Sequence, residues 1–195
     1  MIIKKAKYWS ENCTVNILYN ERFKMIKSNK LIALLLVLFS FVFCNQAISK
    51  TKFVSTQKYW NVYVTEIKKT KTCFMTSEPI STSGKFNKKN RGKPYVFVTN
   101  TKGGASHEVS IKAGFNFKRN FDVIFNVDGK KTNLFPVDDR AWSESSKIDR
   151  VLVQSMRKGK KLMVIGTSAP GNKITDTYNL AGFTKALNIV DKSCS

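Results

Sequence analysis

Residues 121–136 read FDVIFNVDGKKTNLFP. Phe121, Val123 and Phe125 share one side of a two-residue period, the pattern of a half-buried strand. Asp128-Gly129 follows, and both residues tolerate the positive φ that a type I′ turn demands. The chain returns from Lys131 to Pro136, ending in Leu134 and Phe135. The stretch therefore predicts an antiparallel hairpin, and the sequence on either side repeats its grammar.

Upstream, Trp60, Val62 and Val64 alternate with Asn61, Tyr63 and Thr65, which predicts a strand. Thr72 to Thr76, carrying Cys73 and Met75, predicts a second. Ser77 to Gly92 is rich in Ser, Asn, Lys and Gly without a period, and reads as an exposed loop. Tyr95 to Thr99 places Val96 and Val98 on one face. After a turn at Lys102-Gly103-Gly104-Ala105, Glu108 to Lys112 alternates through Val109 and Ile111.

Downstream the period changes. From Asp138 to Gly159, Ile148, Val151, Leu152, Ser155 and Met156 follow helical spacing, and Gly159 is placed to end the helix. Lys161 to Thr167 and Thr175 to Leu180 read as strands around a turn at Ser168 to Asn172. Phe183, Ala186, Leu187 and Val190 mark a short amphipathic helix ending near Cys194. Seven or so short strands, with two short helices in the C-terminal third, predict a mainly β fold. Its form is a β-sandwich with helical additions over residues 58–195.

The N-terminal region has another character. Residues 31–44 read LIALLLVLFSFVFC, fourteen residues without a charge. A spanning helix needs roughly 20 apolar residues, so this run is short for an anchor and has the length of a signal-peptide core. Lys24, Lys27 and Lys30 precede it, and Ala47-Ile48-Ser49 sets small residues at −3 and −1 of a cut before Lys50. Residues 25–49 thus read as a secretory signal beginning at Met25. Residues 1–24 read as an upstream extension from a misplaced start or as a long n-region, and residues 50–57 as a polar tether. An uncleaved signal anchor and a lipoprotein modified at Cys44 are the competing readings, the second opposed by Phe43 where a small residue is required. Export through the inner membrane, to the periplasm or outer envelope and without a stable membrane helix, is the expectation.

Cleavage would leave Cys73 and Cys194, and an even pair in an exported chain predicts one disulfide; two free buried thiols are the alternative. Residues 50–195 hold 27 Lys and Arg against 11 Asp and Glu, a net of +16. One reading is an anionic partner such as lipopolysaccharide or anionic lipid, touched by Lys88, Lys89, Arg91, Lys158, Lys160 and Lys161. The other is AT-rich coding bias, which inflates Lys, Asn, Ile and Phe. Nucleic acid is not the expected partner.

No catalytic set stands out, and neither a cofactor nor a metal site is expected. One histidine, His107, follows a Gly-rich turn and reads as solvated, with a general base as the alternative; a pocket joining it to Asp138 or Asp139 would favour an enzyme. Gly166 to Gly171 faintly resembles a phosphate loop but lacks the Lys-Ser/Thr ending, and Pro170 removes an amide donor. Trp60 and Trp142 read as core anchors, with ligand platforms as the alternative.

An ordered set of short motifs resembles the invasion-associated locus B family. It includes Trp60-Asn61-Val62-Tyr63, Cys73, Arg91-Gly92, Pro94-Tyr95-Val96, Glu108-Val109-Ser110 and Val127-Asp128-Gly129. It continues through Ala141-Trp142, Met156, Gly159, Met163-Val164, Gly166-Thr167-Ser168, Tyr178, Gly182-Phe183-Thr184, Ala186-Leu187 and Cys194. The resemblance implies a bacterial exported protein with an immunoglobulin-like sandwich and no enzymatic activity established for the family as a group. Ala169-Pro170 departs from relatives that often carry Arg and Gly there. A non-enzymatic module that binds an envelope or extracellular macromolecule is the expected function.

Overall fold

A computed structural model describes residues 51–195. The signal read over 25–49, the extension 1–24 and Lys50 lie outside those residues. The described chain opens with β1 (Lys52–Gln57), β2 (Trp60–Ile67), β3 (Thr70–Ser77) and a short β4 (Ser81–Gly84). It continues through β5 (Tyr95–Thr101), β6 (Glu108–Lys112), β7 (Val123–Val127), β8 (Lys130–Val137) and β9 (Arg140–Trp142). Helix α1 (Ser146–Lys158), the hairpin of β10 (Lys161–Thr167) and β11 (Lys173–Asn179), and helix α2 (Phe183–Cys194) complete it.

The eleven strands form one antiparallel sheet in the order β1-β2-β3-β5-β6-β9-β8-β7-β10-β11-β4. The Asp128-Gly129 hairpin lies where the sequence puts it, with φ of 46° and 98° at the two turn residues. β8 serves both halves of the sheet: Lys130 to Leu134 pair with β7, and Phe135 to Val137 pair with β9. Alternation sends Val62, Met75, Val98, Val109, Phe125, Leu162 and Tyr178 into a single core. Trp60 is fully buried there, edge-on to Phe183 at 5.0 Å, and its indole N–H donates to the Asn179 carbonyl at 3.2 Å.

α1 begins at Ser145, whose hydroxyl accepts from the Ile148 amide, and buries Leu152, Val153 and Met156. Val151, expected on the buried face, is exposed, because the buried face runs through Asp149, Leu152, Val153 and Met156 and Val151 lies opposite it. α2 buries Phe183, Ala186, Leu187 and Val190, the four positions its spacing marks.

Four expectations need correcting. Residues 52–57 of the supposed tether form β1, paired antiparallel with β2 across a register shift between Phe53 and Ser55. The loop expected over 77–92 contains β4, paired with β11 through Ser81 to Gly84. Both are edge strands, whose ladder hydrogen bonds come from a partner and need no apolar alternation of their own. The helical region expected from Asp138 first contributes β9, so Ala141 enters the core and Trp142 turns outward. Phe121 precedes β7 and is exposed, with the Lys118 ammonium 4.5 Å from its ring centroid.

Candidate functional site

The structure joins Cys73 to Cys194 in a disulfide with a Cα–Cα distance of 5.8 Å. Cys73 is buried on β3 and Cys194 ends α2, so the bond fastens the last helix to the sheet. It closes a loop of 121 residues.

The six basic residues marked in the sequence do not form one patch. Arg91 is an interior residue, its side chain 6% exposed. Its guanidinium makes a two-pronged ion pair with Asp176 of β11, itself buried, and donates to the Ala113 carbonyl at 2.9 and 3.0 Å. The Phe86 and Phe115 rings each lie 5.1 Å from it, and the Thr82 hydroxyl donates to Asp176 at 2.6 Å. A cation so enclosed cannot meet a surface partner. Lys88 and Lys89 are exposed just beyond β4, whose Gly84 lies opposite Ile174. Lys158, Lys160 and Lys161 are exposed at the other end of the ladder, where Lys161 lies opposite Asn179. Five residues of β11 separate the two ends, about 17 Å of strand.

His107 is not a free loop residue. Its Nε2 lies 2.7 Å from Asp191 Oδ1 on α2, and Asn100 binds both, accepting from the His107 amide and donating to the Asp191 carboxylate. His107 takes a φ of 57°, a conformation costly for a residue with a side chain, and Asn100 is the group that secures it. The partner of His107 is thus Asp191, which the sequence did not single out, and not Asp138 or Asp139. Those two lend their backbone carbonyls to the Phe117 and Ala113 amides. Gly166 to Gly171 is no cradle either: the Ala169 amide goes to Asn116, and Ser168 and Gly171 close the turn internally.

A different feature dominates the surface. On the face of the sheet turned away from the core, positions that would ordinarily be polar carry aromatic rings. Phe53 and Tyr63 meet at 5.7 Å between centroids, Tyr63 stacks on Phe74 at 5.3 Å, and Phe74 reaches Phe97 at 6.3 Å. Tyr95 flanks Phe97 at 5.8 Å, and Trp142 stacks on Phe135 at 6.2 Å across β9 and β8. Register explains the row: Phe53 pairs with Tyr63, Tyr63 with Phe74, and Trp142 with both Ser110 and Phe135. Phe53 is exposed and the others are half-buried. The Arg140 guanidinium sits 5.6 Å from the Phe97 centroid, and Lys112 lies opposite Tyr95. The Tyr95 phenol is held above its ordinary pKa, first by burial and then by the neighbouring Glu78 carboxylate, so it stays a neutral donor. Such a face can stack against flat apolar surfaces of a ligand while its polar rim orients it.

Fold and surface together define a basic antiparallel β-sheet protein whose last helix is bolted down by a disulfide and whose outer face is aromatic. The chain belongs to the invasion associated locus B (IalB) protein family, which it matches over residues 60–191. No curated protein and no solved structure matches it. Among the described residues no helix is long and apolar enough to cross a membrane.

Proposed function

We propose that this chain is an exported, non-enzymatic binding module of the bacterial envelope, working in the periplasm or at the outer envelope, and that it holds an acidic polysaccharide on its outer aromatic face. The observation that carries the reading is the row from Phe53 through Tyr63, Phe74 and Phe97. Sugar rings offer apolar C–H faces edged with hydroxyls, which suits stacking on rings within a field of Thr, Ser and Asn side chains. Adjacent strands stand about 4.8 Å apart, so an extended chain crossing them would meet a new ring at nearly every strand. The net charge of +16 on residues 50–195, with Arg140 and Lys112 on the same face, favours an acidic glycan over a neutral one. Export rests on the signal read at residues 25–49 and on the family. The immunoglobulin-like sandwich is the finer fold reading, supported by β8 changing partners midway while both halves share one core.

The role of His107 fits this reading, since its contacts fasten α2 beside the disulfide. Affinity electrophoresis through gels containing heparin or alginate tests the proposal. Phe97→Ala and Trp142→Ala should each weaken retardation by about tenfold, the usual effect of losing a stacking anchor. Retardation unchanged in both variants would refute the aromatic face. Stronger competition by a single-stranded oligonucleotide than by glycan would reassign the partner.

A further inference from the structure

A second site lies at the start of α2, away from the aromatic face. The turn between β1 and β2 rests on the residue preceding the helix, Gly182. A Cβ there would collide with the Gln57 carbonyl, and its φ of +94° is itself a glycine conformation. This close approach brings Lys58, held at a φ of 55°, beside the first turn of α2. Arg157, near the end of α1, completes the wall of a pocket of about 360 Å³, with Lys185 and Thr184 on its helical side.

Three cations line this pocket, and none of its lining residues carries a carboxylate. Like charges brought together in a concavity repel one another, and the surrounding walls focus their field on whatever enters. Arg157 adds a sharper sign. Its Nε is buried without a hydrogen-bond partner, and its nearest carboxylate contact is Asp191 at 4.0 Å from the outer nitrogen. The Nε itself is closed to a ligand, but the side chain is 30% exposed. Its terminal nitrogens, held to Asp191 only at ion-pair distance, can take a closer acceptor in the pocket. The helix contributes as well: Gly182 has no side chain to cap the Thr184 and Lys185 amides, so both remain available to an anion.

We propose that this pocket binds a phosphate monoester carried on a sugar-sized body. Arg157 would grip two phosphate oxygens, Lys58 and Lys185 would neutralise the second charge, and the volume leaves room for the body beyond the phosphate. A carboxylate, with one charge and two oxygens, would leave part of this donor set idle. The phosphate can come from a soluble sugar phosphate or from a lipid headgroup, and the chemistry of capture is the same. The site does not depend on the glycan-binding reading, because the two share no residues.

The test uses protein expressed from the full-length gene and purified in the form the cell makes. Glucose 1-phosphate is titrated by calorimetry against glucose, and phosphatidylcholine vesicles are floated with and without phosphatidic acid. Arg157→Gln and Lys58→Gln should each lower affinity by about tenfold or more, while Lys130→Gln, on β8, should leave it unchanged. Phe97→Ala should also leave it unchanged, which separates this site from the aromatic face. Binding of glucose 1-phosphate supports the proposal with a soluble ligand; capture by phosphatidic acid vesicles alone, lost in the two variants, supports it with a membrane ligand. Should Arg157→Gln unfold the protein, Lys58→Gln decides, its side chain being exposed. No binding to either probe, equal binding by the pocket variants, or an equal loss in Lys130→Gln would overturn it.

Discussion

Replacing Arg91 with methionine removes a cation that the chain has fully enclosed. Asp176 would be left as a buried carboxylate with only the Thr82 hydroxyl, and the Ala113 carbonyl would lose both its Arg91 donors. Breaking a buried pair from one side costs about 3–5 kcal/mol. The contacts with Phe86 and Phe115 add about 1–2 kcal/mol each, much of which the methionine recovers by packing. A loss of about 4–6 kcal/mol is therefore expected, against a typical total of about 5–15 kcal/mol. The double variant Arg91→Met/Asp176→Leu should lose only about 1–2 kcal/mol, because no charge is then stranded. The implied coupling is about 3 kcal/mol or more. Urea unfolding followed by circular dichroism measures these two variants and the single Asp176→Leu variant that closes the cycle, without the screening that guanidinium salt introduces. A single-variant loss below about 1 kcal/mol, or strict additivity in the double variant, would refute the account of this pair.

Two further outcomes follow from the structure and a third from the sequence. Cys73→Ser/Cys194→Ser should lower stability by about 3–5 kcal/mol on the loop-closure account, read as a lower urea midpoint that matches the reduced wild type. Tyr178→Phe should raise stability by about 1 kcal/mol, since the hydroxyl it removes is buried without a partner. Burial, and then the Asp176 charge, hold the Tyr178 pKa well above 10, so its neutral form is tied to folding. That contribution is full below about pH 10 and lost above it, and a pH series of unfolding midpoints should show a shallower alkaline fall in the phenylalanine variant. N-terminal sequencing of the exported protein should begin at Lys50, and a chain in which Leu31 still precedes Phe53 would contradict cleavage.

The sequence was most informative where local chemistry and long-range pairing agreed. Asp128-Gly129 demands its turn unaided, and the alternation on either side supplies two strands that fit it. β1 and β4 leave little trace in the sequence because edge strands draw their hydrogen bonds from a partner, β1 from the adjoining β2 and β4 from the distant β11, and STSG carries no apolar period. Arg91 was misread because its cluster with Lys88 and Lys89 signals a surface, whereas Asp176, 85 residues away, draws it inside. A signal for this was present: Ile174, Asp176 and Tyr178 alternate on β11, which places a carboxylate on a core face and requires a buried cation. Trp142 was likewise decided by its neighbour, since the small Ala141 takes the core position. The aromatic face was legible in part. Tyr63, Phe74 and Phe97 occupy outward positions of three strands, but only strand order shows that they adjoin.

The central claim is that an exported β domain of this family captures acidic polysaccharide on the outer face of its sheet. Hydrogen exchange of the purified protein with and without heparin tests it most directly. The account predicts slowed exchange along β2, β3, β5 and β9, centred on Tyr63, Phe74, Phe97 and Trp142, with the β10–β11 ladder unchanged. Protection confined to Lys158, Lys160 and Lys161, or none at saturating glycan, would contradict it.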